Sequence, residues 1–232
     1  MLPRYKKKKD VIYNVKKELH IVYESFLIPN GTKRALDIIE GNTSENILDD
    51  KSTNLELMRL HVSTKERVDT SKEIYSFIAN YINEDSTISD IGCGYNPIGL
   101  LSNIEIKPNK YYAYEISSDT VNVLNAYFDK AKVSNSYKAE LFDAMNEVPV
   151  DCNVLLAFKL LPILELSQKG RSKELLDQAN FDIAIISFPL KSLSGKAVGM
   201  EANYSRFFES DLNYKIVVKR IINNELFYVI EK

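Results

Sequence analysis

"ISDIGCGYNPIGLL", residues 88–101, decides how the rest of the chain is read. Ile88 to Ile91 reads as a short strand, with Ser89 and Asp90 between two isoleucines. It empties into Gly92, Cys93 and Gly94 before an apolar run opens at Ile98. Two glycines one residue apart let the backbone turn tightly and approach a ligand, and Asp90 sets a carboxylate at the edge of that turn. A nicotinamide-binding loop would carry G-x-G-x-x-G, with a helix opening on the last glycine. Here the glycines are Gly92, Gly94 and Gly99, and Asn96-Pro97 occupies the place of the phosphate-binding turn. This argues against a pyrophosphate ligand and leaves a plain glycine turn open on these residues alone.

Outward from this stretch, strands and helices alternate. Ile74, Phe77, Ile78 and Tyr81 recur at helical spacing over 71–83, ahead of the first strand. "YYAYEI" (111–116) reads as a strand followed by a helix carrying Val121, Leu124 and Phe128. "AELFD" (139–143) and "NVLLAF" (153–158) are further strands, and a helix ending near Asn180 leads to "DIAIIS" (182–187). Such alternation predicts a parallel sheet covered on both faces. "YKIVVKRII" and "ELFYVIE" are joined by little more than Asn223 and Asn224, which permits a hairpin and forbids a crossover. The expected fold is α/β and Rossmann-like, a mostly parallel seven-stranded sheet with a C-terminal antiparallel hairpin. Its ligand belongs at the carboxyl ends of the early strands.

Upstream, Val11, Val15, Leu19, Val22 and Phe26 predict an amphipathic helix that Pro29, Asn30 and Gly31 end. Shorter helices are expected in 32–40 and 44–60. Residues 1–60 therefore read as a small helical N-terminal extension, and 61–232 as the ligand-binding domain.

The 232 residues are 45% apolar and 27% charged, enough for one α/β domain with an extension. A net charge of -2 is no global nucleic-acid signature. The first twenty residues nevertheless hold Arg4, Lys6, Lys7, Lys8, Lys9, Lys16 and Lys17 against Asp10 and Glu18, a local basic patch. Cys93 and Cys152 make no disulfide framework, and His20 and His61 lie far apart, so no metal is expected. No apolar run approaches the ~18–20 residues of a membrane span, and no apolar core follows the leading lysines. A cytoplasmic protein with no membrane association is the expectation.

The second strand ends in Glu115, where a carboxylate can accept both ribose hydroxyls, and the third in Asp143, placed to accept from an adenine amino group. Each acid alone also reads as a solvated strand-end residue. Asp90, Glu115 and Asp143 together with the glycine loop suit an adenosyl ligand without pyrophosphate, of which S-adenosylmethionine is the commonest. Methylating a pyrimidine carbon needs a cysteine nucleophile, usually after proline, and neither cysteine has that context. Methylating an exocyclic amine usually uses an Asp/Asn-Pro-Pro-aromatic turn after the fourth strand, where this chain has "FKLLP" with Lys159. A lysine there suits an anionic or electron-rich acceptor. A guanine N7 offers its lone pair without a general base, so catalysis would rest on positioning and electrostatics.

"LHVSTKER" (60–67), "DIGCGYNPIGL" (90–100), "FKLLPILE" (158–165) and "SFPLKSLSGKAVGMEANYSRFFE" (187–209) resemble the aminoglycoside-resistance 16S ribosomal RNA (guanine-1405 N7) methyltransferases. The resemblance runs from about Lys17 to the C-terminus. It implies the S-adenosylmethionine-dependent methyltransferase fold, with S-adenosylhomocysteine as product. The substrate it implies is a decoding A-site guanine of 16S rRNA in the 30S subunit, and the outcome is resistance to 4,6-linked aminoglycosides. By the same resemblance Arg67 binds the cofactor's methionine carboxylate, and Gly92 and Gly94 lie against the cofactor. Glu115 takes its ribose and Asp143 its adenine, with Asp90, Phe142 and His61 in the same set. Lys191, Lys196, Met200, Glu201 and Tyr204 fall in the motif over the target nucleotide. Lys159, Lys191 and Glu201 are assigned to catalysis, and Lys196, Met200 and Tyr204 to RNA contact. Phe207 and Phe208 read as core.

The family's amino-terminal region docks on ribosomal RNA, which gives Lys6, Lys7, Lys8 and Lys9 a docking role beside the alternative of a solubilising tail. Two departures stand out: the extension is short, and Glu115 replaces a frequent aspartate. A monomer is expected. A methyltransferase for a small molecule or another RNA, and a non-catalytic ribosome-binding protein, remain the rival readings.

Overall fold

The structure is a computed structural model that describes residues 28–190, 199–212 and 214–232. The helix expected over 10–27, the Lys6–Lys9 cluster, Lys191 and Lys196 lie outside the described residues.

The chain builds strands β1 (Thr87–Ile91), β2 (Lys110–Glu115), β3 (Tyr137–Leu141), β4 (Cys152–Phe158), β5 (Phe181–Pro189), β6 (Lys215–Ile222) and β7 (Glu225–Glu231). They form one seven-stranded sheet in the order β3-β2-β1-β4-β5-β7-β6. β1 to β5 are parallel, whereas β7 runs antiparallel to both β5 and β6. The strand order reverses between β1 and β4, which opens a crevice at their carboxyl ends. Asn223 takes the left-handed φ of 52° that a two-residue hairpin turn requires. β4 and β7 read as nearly continuous apolar runs because both their faces are covered. The exposed edge strand β6 carries an irregularity between Ile216 and Val218, a device that blunts edge pairing.

One face of the sheet is covered by α1 (Gly31–Gly41), α2 (Lys51–Met58), α4 (Ser71–Ala79), α5 (Asn96–Asn103) and α6 (Ser118–Lys130), with the short α3 (Val62–Lys65) leading into α4. Ala35 and Leu57 of the first two helices share one core with Ile78, Leu101, Phe128 and the strand residues Ile88, Tyr111 and Val229. Asn54 fastens this layer. Its Nδ2 donates to the carbonyls of Ile47 and Leu48, and its Oδ1 accepts from Tyr127 Oη at 2.8 Å. Residues 31–58 thus form a layer of the main fold.

The other face is covered by α7 (Leu161–Ser167), α8 (Arg171–Gln178) and α9 (Met200–Arg206), the last continuing as a π-helical turn, Phe207–Leu212. The single helix expected before β5 is two helices. Gly170, at φ 90°, breaks the run, and Glu165 accepts from the backbone N–H groups of Gly170 and Ser172 to start the second. The helix expected over 71–83 ends at Ala79.

Candidate active site

The carboxyl ends of β1, β2 and β4 meet the start of β7, which reaches them because it runs the opposite way. Gly92 and Gly94 have φ of 63° and 51°, so the turn after β1 uses the left-handed backbone that glycine adopts freely. The N–H groups of Gly92 and Cys93 donate to Tyr114 O at 2.8 and 3.2 Å and seat the loop on β2. Gly94 N donates to Glu115 Oε2 at 2.9 Å, and Glu115 Oε1 accepts from Ile116 N and Ser117 N. The carboxylate therefore joins the glycine loop to the head of α6. Burial pushes its pKa above the ordinary value, and the three N–H donors oppose that only in part.

Gly94 is backed by His61, whose ring would lie 2.6 Å from a Cβ at that position. Gly99 has a different reason. A Cβ there would sit 2.2 Å from the Tyr75 hydroxyl, so the third glycine makes room for a tyrosine and has no phosphate to serve. Tyr75 Oη donates to Asn96 Oδ1, and Asn96 Nδ2 donates to Asp90 Oδ2 at 2.8 Å. Tyr111 Oη donates to the same oxygen at 2.6 Å. Asp90 therefore props the loop from beneath.

Two buried atoms of this site lack a hydrogen-bond partner among the described residues: Asp90 Oδ1 and His61 Nδ1. Buried polar atoms are seldom left so, and two of them beside a glycine turn suit the polar end of a ligand. Burial raises Asp90 to about 6. Burial first, then the charges of Arg67 and Lys159, lower His61 to about 4, so its imidazole is neutral at pH 7.

These shifts have opposite consequences for stability. The His61 contribution is full above its unfolded value of 6.5 and is lost as pH falls toward 4. The Asp90 contribution is full below 3.8 and is lost as pH rises through 6. Relative to the parent, Asp90→Asn should therefore gain stability as pH rises across that window, and His61→Gln should lose it. Each change should be on the order of 2–3 kcal/mol. Urea unfolding from pH 4 to 7 measures both, and parallel curves for parent and variants would refute the assignment.

Arg67 is 1% exposed. Its Nε and Nη2 donate to Glu225 Oε2 and Oε1 at 2.9 and 2.5 Å, its Nη1 donates to Asn96 Oδ1 at 3.3 Å, and its guanidinium lies 4.8 Å over the Phe158 ring. Burial alone would raise Glu225; Arg67, then Lys159, hold it below its ordinary value. Ser187 Oγ donates to the same carboxylate. The arginine expected on the cofactor's carboxylate is thus already forked onto a carboxylate of its own chain, and the described residues leave at most two of its five N–H donors for another partner.

Lys159, at φ 58°, is one of four non-glycine residues in left-handed backbone among the described residues, and the one that lies at this site. Its Nζ lies 2.6 Å from Glu66 Oε2 and 3.7 Å from Glu225 Oε2, tying α3 to β4 and β7.

Phe142 is buried against Tyr114, ring centroids 4.6 Å apart, and its N–H donates to Glu115 O. That bond sets the Asp143 turn beside Glu115. Asp143 accepts from Met145 N and Asn146 Nδ2 and caps its own turn. On the far side, Glu201 is exposed and Met200 half-buried at the head of α9. Tyr204 lays its ring on Phe188 at 5.0 Å, beside Phe207 and Phe208, so it packs with the core that the phenylalanines were expected to join. Sequence reasoning missed Glu225, Asn96, Glu66 and Ser187. The one available signal was Glu225 itself, an acid opening an otherwise apolar strand.

A hollow of about 210 Å³ between Tyr81, Asp85, Asn153 and Asp182 lies at the amino ends of β1, β4 and β5, the opposite edge from this constellation. Among the described residues no group of three or more His, Cys, Asp or Glu is placed to hold a metal, and no helix is long and apolar enough to cross a membrane.

Residues 6–229 match the model of the ribosomal RNA methyltransferase (FmrO) family. The chain belongs to this family. It is 31% identical over 229 residues to the 16S rRNA (guanine(1405)-N(7))-methyltransferase of Micromonospora echinospora, a match covering 96% of this chain and 83% of that protein. Among solved structures it is similar to the 16S rRNA methyltransferase RmtF in complex with S-adenosyl-L-homocysteine. There the TM-score is 0.84 and the identity 28%, over 100% of this chain and 86% of that one. The 16S rRNA methylase RmtB is also similar, with a TM-score of 0.80 and 26% identity over 99% and 85%. As a ribosomal RNA methyltransferase the protein uses S-adenosylmethionine. The strand-end carboxylates, the glycine turn and the two unpartnered buried atoms fit that cofactor.

Proposed function

We propose that the protein methylates N7 of guanine 1405 in 16S rRNA within the assembled 30S subunit, and that this confers resistance to 4,6-linked aminoglycosides. The observation that carries the choice of atom is the end of β4. Where an amine methylase would hold its proton-accepting turn, Lys159 stands in left-handed backbone, ion-paired to Glu66 and Glu225. The thiols offer no alternative. Burial, then Asp90 and Glu115, push Cys93 well up, and burial raises Cys152 to about 11, so neither is a thiolate nucleophile. Guanine N7 has an available lone pair, so no proton must leave before transfer, and the site has only to hold two partners in line.

S-adenosylmethionine supplies the methyl group. Glu115 takes its ribose, and Asp143 and Phe142 its adenine. Gly92 and Gly94 admit its close approach, while His61, Asp90 and the free donors of Arg67 serve its amino-acid end. Lys191 and Lys196 meet phosphates of the target, and Glu201, Met200 and Tyr204 lie toward the base. Lys6, Lys7, Lys8 and Lys9 dock a monomer on ribosomal RNA, in the compartment where ribosomes assemble.

The test is transfer of labelled methyl from S-adenosylmethionine to 30S particles. One guanine in the A-site should become cleavable after borohydride and aniline treatment, because N7 methylation makes the base cationic. Naked 16S rRNA should be a poor substrate, since docking needs a folded surface. Label that enters without a single aniline-sensitive guanine would overturn the target atom and leave the methyltransferase standing.

A further inference from the structure

The loop that carries Phe142 and Asp143 has no helix of its own. The connections β1 to β2, β2 to β3 and β4 to β5 each carry one or two helices, whereas residues 142–151 join β3 to β4 as a turn flanked by chain without regular structure. Part of the loop is held from within, because Asp143 caps the turn and Glu147 Oε2 accepts from Asp143 N. Two of its carbonyls are held from outside, by Arg171 at the start of α8. Arg171 Nε donates to Ala144 O at 2.9 Å and Nη2 to Glu147 O at 3.0 Å, while Nη1 lies 3.4 Å from Glu174 Oε2.

The Arg171 residue is 3% exposed. A guanidinium is seldom buried unless its donors are used, and its rigid fork can hold both ends of one turn at once, which a lysine cannot. The clamp has a firm base. Leu175 and Leu176 of α8 are fully buried, and Ser172 Oγ donates to Leu161 O at 3.0 Å.

We infer that Arg171 is a positioning residue for the adenosine half of the cofactor, holding the Asp143–Glu147 turn in register with Glu115. This rests on the placement of adenine beside Asp143. Arg171 touches no reacting atom, so its effect lies in cofactor affinity.

The experiment is calorimetry on the full-length chain with two ligands, S-adenosylhomocysteine and 5′-methylthioadenosine, which lacks the amino-acid group. Arg171→Lys and Arg171→Met should bind both ligands roughly tenfold more weakly, by similar factors. In 30S methylation the KM for S-adenosylmethionine should rise by that factor, with kcat at saturating cofactor retained. Arg171→Lys keeps the charge in place and carries the test if Arg171→Met fails to fold. Asp143→Ala is the reference and should weaken both ligands. Arg171 variants that melt lower but bind both ligands like the parent, while Asp143→Ala binds weakly, would overturn the clamp and spare the adenine placement. Parent-like binding by the Arg171 variants and Asp143→Ala alike would overturn the adenine placement and the clamp with it.

Discussion

Arg67→Ala is expected to destabilise the protein by about 3–5 kcal/mol, because it leaves Glu225 as a buried carboxylate without its main partner. Glu225 is 4% exposed, and Lys159, its other cation among the described residues, lies at 3.7 Å, too far to replace a two-bond fork. That residual attraction points to the lower end of the range. Glu225→Ala should cost a similar amount by stranding Arg67 in turn. Replacing both, as Arg67→Met with Glu225→Leu, should recover most of the loss, since a well-packed apolar pair often matches a buried ion pair.

Cofactor affinity should behave differently. It should fall in Arg67→Ala and stay low in the double variant, because the free donors of Arg67 are gone from both. Denaturant unfolding reads the first effect and calorimetry with S-adenosylhomocysteine the second. If Arg67→Ala unfolds at the parent's midpoint, the buried pair contributes little to stability.

The second large effect is at Gly94. Alanine at φ 51° carries a left-handed penalty of about 1–2 kcal/mol. Its Cβ would lie 2.6 Å from His61 Cε1 and 3.0 Å from both ring nitrogens, a distance at which something must move. His61 is packed beside Tyr95 at 5.2 Å and has little room, so the loop is what shifts. That displaces Gly94 N from Glu115 Oε2 and spoils the ribose side of the site. Gly94→Ala should lose S-adenosylhomocysteine binding by roughly a hundredfold or more, while stability falls by only about 1–3 kcal/mol. A shortened side chain at position 61 should relieve the clash. His61→Ala with Gly94→Ala should therefore bind more tightly than Gly94→Ala alone, although His61→Ala by itself binds less tightly than the parent. Affinity in the double variant no better than in Gly94→Ala would show that the contact with His61 is not the cause.

Much of this was legible in the sequence. Strand length, helical spacing and the two-residue turn at Asn223 are local properties, and they carried the parallel sheet, its antiparallel finish and the turn at Gly92 and Gly94. The strand-end acids were legible because a strand end is a position in the sequence before it is a place in space. Boundaries were less so. The helix before β5 divides at Gly170, where backbone conformation and the cap from Glu165 outweigh the apolar pattern.

By itself, then, the sequence determined the order of elements, the glycine turn and the three strand ends that meet in one crevice, since each depends on neighbours within a few residues. Only the tertiary structure decided which charges face one another there. Arg67 and Glu225 are 158 positions apart and pair because β7 inserts beside β5 in reverse, bringing its first residue to the carboxyl edge. Gly99 stood off the spacing of a phosphate-binding loop, and only the packing showed that it is space for Tyr75. Arg171 and the Ala144–Glu147 turn met because the short loop after β3 brought no helix of its own. The physical reason is the same in each case. A buried charge or close contact is satisfied by whatever the packing of distant elements brings within about 3 Å, and no local pattern encodes that partner.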